Sequence, residues 1–180
     1  AKLLWSREDR LGTVVTLPYT FTNIYCSDDG YMYATTTTET PPQVRKINIG
    51  GSDILYGAYD FRDNSIMSYS SYNQVFCDVT VDRYNNMLIV DRMYGRIYEY
   101  DERGNTLFAF GTRGNGYGQL SYPVSIETDH RGRVYVLNKT TGNITVYTPT
   151  EFADLVHEAN QLYSQGKYEE SKVIWEQVIE

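Results

Sequence analysis

Apolar residues in this chain return at alternate positions in short bursts, separated by Asp, Asn or Gly. The bursts at 21–26, 76–81 and 124–128 each run into such a turn, and a second burst follows at 31–34, 87–90 and 134–137. Alternation with a period of two over four to six residues, bounded by residues that tolerate a positive φ, predicts half-buried strands joined by tight turns. A third strand follows each pair, marked by Val44 and Ile47, by Ile97 and Glu99, and by Ile144 and Val146. A fourth, outer strand is predicted at 107–110, ahead of a Gly-rich connector from Gly111 to Gly118.

These bursts form an internal repeat. Asp82 and Asp129 stand 47 residues apart, as do Asp91 and Asn138, Gly95 and Gly142, Ile97 and Ile144, and Tyr100 and Tyr147. An earlier copy begins at Ser27-Asp28-Asp29-Gly30 and is lengthened by a Thr-rich stretch ending in Pro41-Pro42. A repeat of about 40–50 residues holding four short strands predicts the blades of a β-propeller, in which radial packing removes long free edges. The expectation is antiparallel four-stranded blades over 15–149, about three in number. A ring of at least about four blades is needed for closure, so further blades, or self-association that shields the open edges, are expected.

From Thr150 the period changes. Phe152, Ala153, Leu155, Val156, Ala159, Leu162 and Tyr163 follow helical spacing behind Thr148-Pro149-Thr150, Gly166 interrupts, and a second helix is predicted from 168 to 179. The expected packing sets Leu155, Ala159 and Leu162 against Val173, Ile174 and Val178. Ser6-Arg7-Glu8-Asp9 is a capping pattern and a candidate helix start.

Composition narrows the function classes. Eighteen tyrosines suit pleated, half-buried surfaces. With 16 basic and 23 acidic residues the net charge is −7, which argues against nucleic acid as a partner because phosphate binding rests on a basic surface. The segment 151–180 carries 7 acidic and 2 basic residues and favours basic or neutral partners. No apolar run approaches the ~20 residues of a membrane helix.

The string GYGQLSYPVSIETDHRGRVYVLNKTTGNITVY (116–147) is similar to the NHL repeat: a Gly-rich connector, Tyr122-Pro123, a strand, Asp129 with the turn residue Gly132, a Val-Tyr-Val strand and an Asp/Asn position at Asn138, filled by Asp91 in the preceding copy. The tail, with Leu162-Tyr163, Gly166-Lys167-Tyr168 and Trp175, resembles one tetratricopeptide unit. Such a unit cannot bury its face alone and stacks on neighbours. Together they resemble bacterial proteins in which an NHL propeller precedes tetratricopeptide repeats and, in many members, a Yip-type membrane domain. The resemblance implies a partial NHL propeller over 1–149, the first hairpin of a tetratricopeptide array over 150–180, and an extracytoplasmic or membrane-associated parent protein, this piece being soluble by itself.

Catalytic chemistry finds little support in the residues. The two histidines fall in a blade turn (His130) and on the tail (His157), so they are not expected to converge on a channel metal. Asp82 and Asp129 read as turn residues that cap backbone N–H groups, and Asp78 and Glu127 as solvated strand-end carboxylates. Cys26 and Cys77 are offset by four residues between blades, about 13 Å at ~3.3 Å per residue, too far for a disulfide; both read as packed thiols. The Gly111 to Gly118 loop precedes a strand where a phosphate cradle would open a helix, and Arg92, Arg96, Arg131 and Arg133 read as solvated turn residues. No catalytic, metal or cofactor residue is therefore assigned. The candidate binding surface is the tyrosine-rich insertion with Tyr56, Tyr59, Phe61, Tyr69 and Tyr72, because tyrosine offers contact area with a polar tip at low entropic cost. The expected function is a non-enzymatic scaffold binding protein or carbohydrate. The alternative is a metal-dependent propeller hydrolase or lyase whose site lies mostly in further blades.

Overall fold

The computed structural model describes residues 17, 20–36, 44–55 and 74–179. The first sheet runs β1 (Asn23–Cys26), β2 (Met32–Thr35), β3 (Val44–Ile47). The second runs β4 (Phe76–Val81), β5 (Met87–Asp91), β6 (Arg96–Tyr100), β7 (Thr106–Phe110). The third runs β8 (Pro123–Thr128), β9 (Val134–Asn138), β10 (Asn143–Tyr147). All pairings within the sheets are antiparallel and join consecutive strands, so each sheet is a meander, and the sheets stack face to face as blades.

Alternation along the middle blade explains this stacking. Val79, Val81, Met87, Ile89, Tyr98 and Tyr100 form one buried layer with Tyr33 and Val44 of the first blade. Cys77, Leu88, Val90 and Ile97 form a second layer with Leu120, Ile126, Val134 and Val136 of the third. Successive side chains point to opposite faces, and both faces are covered, so β4 and β5 are buried along their whole length. In the third blade Leu137, Ile144 and Val146 remain exposed.

Turn chemistry recurs at the strand ends. Asp82, Asp101 and Asp129 each accept at Oδ1 from the backbone N–H groups two and four residues on, the local bonding that makes Asp a turn residue.

The expectation of four strands in every blade holds only for the second among the described residues. After β10 the chain passes Thr148 and Pro149, which has no N–H for a ladder. Thr150 then caps α1 (Glu151–Ser164) by accepting from Ala153 N, so a helix stands where the outer strand was expected. Gly166, at φ +78°, turns the chain into α2 (Tyr168–Ile179).

Ala159 is buried, and Leu155, Leu162, Ile174 and Val178 are half-buried, but Val173 is 55% exposed. The α2 face toward α1 is instead Ser171, Ile174, Trp175 and Val178, spaced i, i+3, i+4 and i+7, which leaves Val173 off the stripe. Ser171 is buried, and its Oγ donates to Ala159 O at 2.8 Å; two small residues let the helices approach. Among the described residues no helix is long and apolar enough to cross a membrane. The candidate helix start at Ser6 and the surface of Tyr56, Tyr59, Phe61, Tyr69 and Tyr72 lie outside the described residues.

Candidate functional site

Of the two carboxylates expected to be solvated at strand ends, Glu127 is exposed as expected whereas Asp78 is buried, and both bond across to the neighbouring blade. Asp78 is 8% exposed, and its Oδ2 accepts from Ile126 N at 2.9 Å; Glu127 Oε2 accepts from Thr80 Oγ1 at 3.0 Å. Both bonds cross between the inner strands of adjacent blades.

Arg92 and Arg96 flank the β5–β6 turn, while Arg131 and Arg133 belong to the β8–β9 turn; they form no common patch. Arg133 is tied to Asp129, with Nη2 at 2.6 Å and Nε at 2.7 Å from Oδ2. Desolvation opposes ionisation of Asp129, but the hydrogen bonds from Arg133 outweigh it and hold the carboxyl well below the usual range. Both cysteines are free thiols. Cys77 is packed, and burial pushes its thiol up to about 12. Cys26 is exposed, not packed, because it shares the outward face of β1 with Ile24.

His157 does not meet His130. It meets the carboxylates of the second blade, a convergence that reading along the chain missed. From α1 its Nε2 reaches Glu99 Oε1 of β6 at 2.5 Å, and the two are 7% and 4% exposed. Its ring lies 4.9 Å from the Tyr84 ring and 5.6 Å from Phe108, and Phe152 packs on Phe108 at 6.1 Å. Asn86 Nδ2 donates to Asp82 Oδ2 at 3.2 Å and to Glu99 Oε1 at 3.1 Å. Asp82, Glu99 and His157 thus each offer a ligand atom within 4.8 Å of the others.

Desolvation and then the Glu99 charge push Asp82 up to about 6, against hydrogen bonds from Asn86 and Tyr84. Desolvation pulls His157 down, but the Glu99 hydrogen bond and charge, helped by Asp82 and Asp154, outweigh it and raise its pKa. The arrangement can hold a proton or a cation between helix and blade.

Beside this contact lies a cleft of about 240 Å³ between the second blade and the helical hairpin. Its walls include the rings of Tyr84, Tyr163 and Trp175 and the amides of Asn105, Asn160 and Gln161. Asn160 Nδ2 is buried without a hydrogen-bond partner among the described residues. Arg103 lies 4.9 Å over the Tyr163 ring. Asp101, Glu102 and Arg103 also line the cleft, and aromatic faces beside amide and charged groups can stack on and hydrogen-bond a polar ligand.

No protein-family model matches the chain, and no curated protein matches it. Solved structures do. The WD40 β-propeller domain of Doa1 is 7% identical with a TM-score of 0.52, covering 74% of this chain and 38% of that one. A virginiamycin B lyase from Staphylococcus aureus is 16% identical with a TM-score of 0.48, over 76% of this chain and 45% of the lyase. The extracellular domain of the putative hybrid two component system BT3049 from B. thetaiotaomicron is 12% identical with a TM-score of 0.46, over 75% and 18%. The chain spans less than half of each. With three stacked antiparallel meanders and the Doa1 likeness, the fold is mainly β, a partial β-propeller followed by an α-helical hairpin.

Proposed function

We propose that this chain is a piece of a non-enzymatic binding scaffold in which propeller and hairpin together present a recognition surface to a protein or carbohydrate ligand. The observation that carries the reading is the cleft between them, where three aromatic rings and several side-chain amides face a half-open space of about 240 Å³. The NHL-like and tetratricopeptide-like patterns in the sequence support the same reading, with further blades and further hairpins as the remaining parts of the scaffold.

Trp175 lines the cleft, so ligand entry is followed by its emission. Panels of neutral oligosaccharides and of peptides are titrated against the whole chain and against Asn160→Ala and Tyr163→Ala. Saturable binding by a member of either panel, weakened at least tenfold by these substitutions with unchanged circular dichroism, is the expected result. Binding unaffected by them, or metal-stimulated turnover of ester or lactone substrates by the chain, overturns it in favour of a metal-dependent hydrolase or lyase.

A further inference from the structure

We infer that Asp82, Glu99 and His157 form a divalent-cation site that fastens the helical hairpin to the second blade. This site is separate in purpose from the recognition cleft and does not rest on it.

The first argument is a comparison between copies of the repeat. In the third blade the turn carboxylate Asp129 is met by the guanidinium of Arg133, four residues on, at 2.6 Å. In the second blade the residue four on from Asp82 is Asn86, which is neutral, and the partner it brings is a further carboxylate, Glu99. Where the third blade has Val146, the second has Glu99. Two carboxylates therefore share one place with a single imidazole, while the Arg83 guanidinium at the rim donates to His130 O and Tyr84 Oη, and like charges at low solvent exposure are unfavourable unless a proton or a cation joins them.

The second argument is space. A cavity of about 20 Å³ is bounded by Asp82, Glu99 and His157, with Arg83, Asp154, Leu88, Val134 and Pro149 among its other walls. A volume of roughly 10–15 Å³ admits one water-sized occupant, so this one has room for a single ion.

The third is donor chemistry and support. One imidazole nitrogen and two carboxylate oxygens are a donor set for Zn²⁺ or a similar first-row cation. Tetrahedral donors at about 2.0–2.1 Å from Zn²⁺ stand about 3.3 Å apart. Ligand atoms within 4.8 Å of one another, with Glu99 Oε1 and His157 Nε2 at 2.5 Å, reach this spacing by a side-chain adjustment that parts the latter two and draws in Asp82. Asn86 donates to both carboxylates and orients them, and Tyr84 and Phe108 hold the ring of His157. Such outer groups are typical supports of a metal centre. Three elements meet here: the β4–β5 turn, β6 and α1. A cation bound to all three ties the hairpin to the propeller.

The test uses the whole chain stripped with EDTA. Co²⁺ is titrated in as a spectroscopic probe and Zn²⁺ as competitor, with thermal unfolding followed in parallel. The expected result is one equivalent of Co²⁺ with visible bands more intense than those of the aqua ion, displaced by Zn²⁺, and a melting temperature raised by Zn²⁺. Glu99→Gln, close in shape but without the ligating charge, weakens binding by more than the about 10–100-fold that loss of a mere supporting group costs, and His157→Ala abolishes the bands. His130→Ala, a change in an exposed turn, leaves them intact. Absence of Co²⁺ bands together with an unchanged melting temperature in the unsubstituted chain overturns the inference, as does binding that persists in both Glu99→Gln and His157→Ala. The wild-type titration does not depend on any variant folding.

Discussion

Gly95 and Gly142 occupy the same position of the repeat, and substituting each by alanine separates two costs that usually come together. Both glycines have a left-handed backbone, with φ of +61° and +62°, so a Cβ costs each roughly 1–2 kcal/mol, part of which is returned by the lower entropy of the unfolded chain, about 0.4–1 kcal/mol. Their surroundings differ. A Cβ on Gly142 meets nothing within 4 Å, whereas on Gly95 it falls 2.8 Å from Arg113 Cα, Arg113 N and Leu120 O. Those are backbone atoms of the connector between the second and third blades, pinned by the Arg113–Leu120 bridge and by Leu120 N donating to Thr112 O at 2.9 Å. Leu120 itself is fully buried between the blades, so the connector cannot swing away without opening that layer. Forced overpacking of this kind costs typically 1–3 kcal/mol. Gly142→Ala is expected to lose about 1 kcal/mol or less, and Gly95→Ala about 1–3 kcal/mol more. With an m-value of about 1–3 kcal/mol/M, urea midpoints read by circular dichroism should differ by about 1 M. Coincident midpoints would refute the claim that the connector lies too tightly against Gly95 to move.

Asp91 is fully buried; its Oδ1 accepts from Val75 N and Met93 N, while its Oδ2 has no hydrogen-bond partner among the described residues. Burial raises its pKa, so the folded state holds the proton more tightly than the unfolded one, and the ionised form costs stability that is recovered as pH falls toward the unfolded value. Asp91→Asn, which installs the residue found at the matching Asn138, is therefore expected to raise the melting temperature at pH 7 with a gain that fades near pH 4; destabilisation at pH 7 refutes this. A thiol reagent should label Cys26 alone in the native chain, with Cys77 reacting only on unfolding; two rapidly reacting thiols contradict the packing of β4. Ser171→Ala should cost about 1 kcal/mol through the lost bond to Ala159 O, and Ser171→Leu more, by forcing the helices apart; a Leu variant as stable as the parent refutes the close approach of the hairpin.

The repeat, its strands and the role of Asp82 and Asp129 as turn residues were legible in the chain because they depend on local rules: alternation with period two, and side-chain bonds to N–H groups two and four residues on. The helices were legible for the same reason, from apolar positions at helical spacing behind Thr148-Pro149-Thr150, though the cap at Thr150 came only from the structure. Reading along the chain erred where burial depends on distant partners. Asp78 looked like a solvated strand end, yet the bond to Ile126 N crosses 48 residues. Cys26 looked packed, yet the outward face of β1 leaves it exposed. Val173 belonged to an apolar helix by composition, but the rotation of α2 set by Ser171 turned it to solvent. The candidate site shows the difference most plainly. Glu99 and His157 are 58 residues apart, and nothing local relates them. They meet because the third blade ends after three strands and the chain enters a helix at that point, which lays α1 against the outer part of the second blade. Local bonding is encoded residue by residue, whereas convergence of charges from a turn, a strand and a helix depends on how whole blades and helices pack.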